Sequence, residues 1–207
     1  MTEITAHPHG IKLPKTELGQ AKMDKIVEAA IHLFTEVGFY ETSVADICRK
    51  AGTAVGTFYI YFETKRDLYR HLLDKYKVAI RTRLAKSIRE TATREEAERE
   101  GIRTFIKYAV EDPMMYNIIW GSLSIDQVLF VDYYVSFAES YAKALAKSGS
   151  ELAIADTTSL AYLLMGLTNF LGLHAIFEGM DDDAIDKMID TTVMPALREG
   201  IFRKKAI

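Results

Sequence analysis

"TSVADICRKAGTAVGTFYIYF", residues 42–62, decides the fold. Ser43 with Asp46 three positions on is a capping-box pattern, and Val44, Ile47 and Cys48 supply an inward apolar face. Gly52 follows as a stop, so the pattern predicts a helix of about eight residues, too short to stand alone. Thr53 is the expected N-cap of a second short helix over about 54–60. Its end is crowded with Phe58, Tyr59, Tyr61 and Phe62, and an element of two turns cannot bury every face. If Phe58 faces inward, so does Phe62 at i+4. Gly56, Thr57, Tyr59, Ile60 and Tyr61 then fall on the flanks and the outer face.

Working outward, apolar residues recur at helical spacing almost everywhere and no period-2 run appears. Ile26, Ala30, Leu33 and Val37 form the stripe of a helix over about 21–37, stopped by Gly38. Thr64 and Asp67 repeat the capping-box pattern and open a long amphipathic helix over about 65–90 on Leu68, Leu72, Tyr76 and Ile80. Further helices are expected over 94–110, from Pro113, over 124–147, over the very apolar 153–177, and over 182–199, where Pro195 should kink or end the helix. "REEAERE" (94–100) reads as a solvated helix start. The reading is an all-α chain of nine or ten helices with a flexible arm over 1–20.

Composition sets outer limits. The 207 residues are 49% hydrophobic and 27% charged, enough apolar material for a core. The start lacks a basic segment followed by an apolar one, and no stretch is read as a membrane span, so no membrane is expected. One cysteine, Cys48, excludes an internal disulfide framework and points to a cytoplasmic protein. The net charge of −3 carries no bulk signal for a polyanionic partner. Phosphate loops, zinc-protease helices, nucleophile elbows and metal-spaced His/Cys sets are all missing, so neither an enzyme, a cofactor nor a metal is expected.

Two short helices joined by a turn of three or four residues have helix-turn-helix spacing, and in such a unit the second helix enters the DNA major groove. Tyr suits its outer face, because the ring packs on sugar and the hydroxyl reaches phosphate. Through about residues 24–70 the chain, with "IVEAAIHLFTEVGFYETSVADICRKAGTAVGTFYIYFETKRDLY" at 26–69, resembles the TetR family of one-component transcriptional repressors. The resemblance implies an all-α fold: a helix-turn-helix DNA-binding domain over 21–66, with three helices, and a helical ligand-binding and dimerisation domain over 67–207. By position it implies DNA-facing roles for Ser43, Ala45, Thr53, Val55, Gly56, Thr57, Tyr59 and Tyr61, and a phosphate contact for Lys65. Ala45 and Val55 are apolar where other members can carry a polar reader, so readout would lean on thymine methyls, Thr57 and DNA shape.

The same resemblance implies a palindromic double-stranded DNA operator, a homodimer, and release by a small hydrophobic or aromatic effector when the helix over 65–90 swings. Surplus apolar surface on 153–177 and 182–199 agrees with an intermolecular four-helix bundle. Tyr108, Tyr116, Trp120, Phe130, Tyr134, Phe137, Met165, Asn169 and His174 are the candidate lining of an effector cavity. The competing reading is a helical protein-interaction or ligand-binding protein that binds no DNA.

Overall fold

The computed structural model describes residues 10–200, and the described residues are helical with no named strand. The expected arm up to residue 9 lies outside them, as does the tail beyond 200. The chain divides into two compact units. One takes the chain up to Tyr76 together with Tyr116–Leu129, and the other takes Lys77–Met115 together with the chain from Phe130 onward. This differs from a division at residue 66: the first unit keeps the opening turns of the long helix and recruits a distant segment.

The first unit begins with α1, Glu17–Glu36, capped by Thr16, whose Oγ1 accepts from Gly19 N at 3.1 Å. The helix therefore starts four residues earlier than its apolar stripe indicates. Residues 10–16 are not a free arm either. Lys12 N donates to Tyr61 O at 2.8 Å and Glu63 N donates to Gly10 O at 2.9 Å, pairing Ile11 antiparallel with Phe62. Next come α2, Val44–Ala51, and α3, Val55–Tyr61. The Ser43–Asp46 capping box is present, with Asp46 N to Ser43 Oγ at 3.1 Å and Ser43 N to Asp46 Oδ2 at 3.0 Å. Gly52 closes α2 at φ 65°, a left-handed conformation that glycine adopts at little cost.

α4, Lys65–Ser87, buries Leu68, Tyr69, Leu72, Tyr76 and Ile80. Within the first unit, the Phe34, Phe39 and Tyr69 rings meet with centroids 5.2–5.5 Å apart. Tyr69 OH donates to the carbonyl of Ile118 in α6, Met114–Ile125, and burial pushes its phenol pKa up. That contact explains how a segment some fifty residues away joins the N-terminal core. Gly121 permits it, because a Cβ there would sit 3.0 Å from Tyr69 OH.

The second unit holds the end of α4 with α5, Arg94–Glu111; most of α7, Gln127–Lys147; α8, Thr157–Glu178; α9, Asp182–Met188; and α10, Met194–Gly200. Its core gathers Ile102 and Ile106 of α5, Leu145 of α7, Leu160 and Leu164 of α8, and Ile185 of α9. α5 and α9 are also joined by charge. Arg103 grips Asp186 at 2.6 and 2.9 Å, and Arg99 grips Asp190, just beyond α9, at 2.7 and 2.8 Å. A π turn over Ile189–Val193 separates α9 from α10, with Met194 N donating to Ile189 O. Pro195 accounts for it: the ring has no N–H to give and crowds the carbonyl four residues back, so the backbone widens just before it.

α8 is long and apolar enough to cross a membrane by length and composition alone, with mean hydropathy 1.6 over eighteen residues, and 28% of that stretch is buried. Tyr162, Leu163, Phe170 and Phe177 stand on its exposed face, Phe170 at 65% and Phe177 at 78%.

Candidate DNA-binding face and ligand cavity

Phe58 of α3 and Phe62, the residue that closes it, are fully buried with ring centroids 5.5 Å apart. Val55, Gly56, Tyr59 and Ile60 are exposed and Thr57 is half-buried. Tyr61 corrects the sequence reading: it is 6% exposed. At i+3 from Phe58 it shares the inward side, and the backbone of residues 10–12 runs along its carbonyl. Thr53 is not the cap. Ala54 holds that position and offers no side-chain acceptor to the first turn of α3. Ser43 and Ala45 are exposed at the start of α2.

Lys65 is a second correction. Its ammonium does not project free. It donates to the carbonyls of Phe39 and, at 2.6 Å, Thr42, and lies 4.3 Å from the centroid of the Phe39 ring. Burial draws its pKa down. Lys65 thus ties the α1–α2 connection to the start of α4. The basic groups that are exposed near α3 are others: Lys22 and Lys25 of α1 border a shallow cleft with Gly52, Ala54 and Thr57. Sequence reading missed them because they sit on the polar side of α1, thirty residues before the turn that faces them. Cys48 is fully buried, and burial pushes its thiol up, away from the reactive range.

The second unit contains a cavity of about 340 Å³ within it. Tyr134, Phe137, Met165 and Asn169 line it, as the sequence reading expected. Five other candidates do not. Tyr108 is buried beneath the Arg83 guanidinium, 4.0 Å from its ring. Tyr116 and Trp120 belong to the first unit, where their rings lie 6.5 Å apart. Phe130 packs on Tyr134 at 4.8 Å from outside the lining, and His174 is exposed on α8. Residue type pointed to these five; the direction each faces depends on packing that the sequence does not state.

The cavity also has charged walls. Arg94 and Glu98 open α5 within "REEAERE", yet they are 9% and 2% exposed rather than solvated. Arg94 Nε donates to Glu98 Oε1 at 2.7 Å and Tyr141 OH donates to the other carboxylate oxygen. Burial, with the Glu98 carboxylate beside it, holds the Tyr141 phenol well above its ordinary pKa. Glu98 is therefore fully matched, which an i, i+4 pair in a charged run announces only once Tyr141 is known to cover it. Arg81 is the other cation: Nη2 donates to Ser136 O at 2.6 Å and to Ser140 Oγ at 3.2 Å, with the guanidinium 4.9 Å from the Phe137 ring. Among the described residues, no group of three or more His, Cys, Asp or Glu is arranged to hold a metal.

Comparison with known proteins agrees with this geometry. The profile of "Bacterial regulatory proteins, tetR family" matches residues 26–72. The HTH-type transcriptional regulator YvdT of Bacillus subtilis, itself uncharacterised, is 42% identical over 73 residues, covering 31% of this chain and 37% of that protein. The Fatty acid metabolism regulator protein of the same organism is 33% identical over 75 residues, covering 36% and 39%. The chain thus spans under two fifths of the length of these two relatives. Among solved structures, the fatty acid degradation regulator FadR from Bacillus halodurans superposes with TM-score 0.72 at 17% identity, over 89% of this chain and 96% of that one. A TetR-like transcriptional regulator from Rhodococcus sp. RHA1 gives 0.69 at 18% identity, over 90% and 98%. These two likenesses extend the shared fold, though no more than the fold, through the C-terminal helices.

Proposed function

We propose, from the premise that the chain belongs through residues 26–72 to the tetR family of bacterial regulatory proteins, that it is a ligand-responsive repressor. In this reading it acts in the cytoplasm as a homodimer on a palindromic operator, and a small hydrophobic effector releases it. The observation that carries the reading is α3: Phe58 and Phe62 fix it in the core, leaving Gly56, Thr57 and Tyr59 toward the groove. Lys22 and Lys25 then supply phosphate contacts that position the unit without reading sequence.

Two readers must be spaced about one helical turn apart, and the exposed apolar face of α8 supports the pairing that achieves this. Two copies of α8 packed with two copies of α9–α10 bury Leu163, Phe170 and Phe177 in a four-helix bundle. Release is routed along α4. That helix carries Lys65 at its start and Ile80, Arg81 and Leu84 on the cavity wall. An effector that prefers one placement of its later turns shifts the equilibrium by the difference in affinity, typically about 1–3 kcal/mol.

Selection of duplexes from random DNA by the full chain, followed by footprinting, tests the reading. The expected product is a twofold-symmetric site whose half-site centres lie about 34 Å apart. Recovery of no common sequence contradicts it.

A further inference from the structure

Resting on that reading of the cavity as an effector site, we infer that the effector is an amphipathic monocarboxylate whose carboxylate binds Arg81. Three ionic groups border the cavity: Arg81, Arg94 and Glu98. Arg94 and Glu98 satisfy each other, and Tyr141 takes the remaining carboxylate oxygen. Arg81 has no such counter-ion. Among the described residues its partners are one carbonyl, one hydroxyl and one ring, and its Nε–H is buried with no acceptor.

A buried donor with no acceptor is costly, and an uncompensated guanidinium in an apolar cavity more so. A planar carboxylate resolves both by displacing the longer Nη2 bond to Ser140 Oγ, so that the Nε and Nη2 edge gives it two parallel charge-assisted bonds. Apart from Ser140, Thr168 and Asn169 the rest of the lining is mostly apolar, around Phe105, Phe137 and Met165, which suits a hydrocarbon or aryl body. The cavity volume is at the small end of ligand pockets, so a compact body fits. An amine meets a like charge at Arg81, and a neutral alcohol leaves the guanidinium unmatched.

Titration calorimetry of the full chain with decanoate, decanol and decylamine, and with the phenylbutyrate and phenylbutanol pair, tests this. The expected order is carboxylate over alcohol by at least tenfold, with no amine binding. In Arg81→Gln the carboxylate-to-alcohol ratio falls toward one, and in Arg81→Lys, which keeps the charge but loses the fork, it is intermediate. Equal affinity for acid and alcohol in the wild type overturns the inference, as does an unchanged ratio in Arg81→Gln or failure of every carboxylate to bind. Gel shift with the same preparation separates the two readings: operator binding alongside failed carboxylate binding removes this inference and leaves the regulator standing.

Discussion

Tyr59 and Tyr61 lie two residues apart on a seven-residue helix, and the fold exposes one and buries the other. Tyr59 is 52% exposed, so truncating it removes no core. Tyr59→Ala is expected to leave the thermal midpoint within about 2 °C of wild type and to weaken operator binding about tenfold or more, read by fluorescence anisotropy. Tyr61→Ala empties a buried site and should cost roughly 3 kcal/mol in denaturant unfolding. Lys65 also acts in the fold. Lys65→Met leaves the carbonyls of Phe39 and Thr42 without their donor and is expected to cost about 1–3 kcal/mol of stability, measured the same way. A stability loss close to zero would return Lys65 to the role of a free phosphate contact.

At the scale of the element, the parts legible in the sequence are those written by neighbours along the chain. Ser43 with Asp46, Gly52 after α2, and Pro195 with its π turn each depend on residues within five positions. The burial of Tyr61 depends on residues 10–12, and that of Glu98 on Tyr141, so periodicity alone misassigned both. The α5–α9 clamp is of the same kind: Arg103 and Asp186 look like two ordinary surface charges until the helices are placed. Arg103 holds the Asp186 carboxyl below its ordinary pKa of 3.8, and Arg99 does the same for Asp190. A carboxylate with a depressed folded pKa contributes stability above its unfolded pKa and loses it as pH falls through the folded value. The clamp should therefore be whole at neutral pH and fail below about pH 4. Asp186→Asn is expected to cost roughly 0.5–1 kcal/mol at pH 7 and almost nothing near pH 2, by thermal unfolding at both values.

At the scale of the whole molecule, α8 carries more exposed apolar side chain than a solitary subunit gains by showing. Pairing of this face is expected to make the chain a dimer in sedimentation velocity. Phe170→Glu with Phe177→Glu should yield a folded monomer, with circular dichroism unchanged, whose operator affinity drops by orders of magnitude because one reader replaces two. A double variant that still sediments as a dimer moves the interface elsewhere. The N-terminal unit was readable because its pattern is dense with caps, stops and aromatics. The cavity was only half readable, since four of nine candidates reach it and two of its three charged groups, Arg94 and Glu98, came from a run that looks solvated.

The central claim is that the outer face of α3 reads DNA. The most direct measurement is the affinity of the full chain for its selected duplex against a scrambled duplex of equal length at one fixed salt concentration, repeated with Tyr59→Ala. The account requires the wild type to prefer the selected duplex by about 10³-fold or more, and the variant, equally stable, to lose much of that preference. Equal binding of both duplexes, or a preference untouched by Tyr59→Ala, contradicts it.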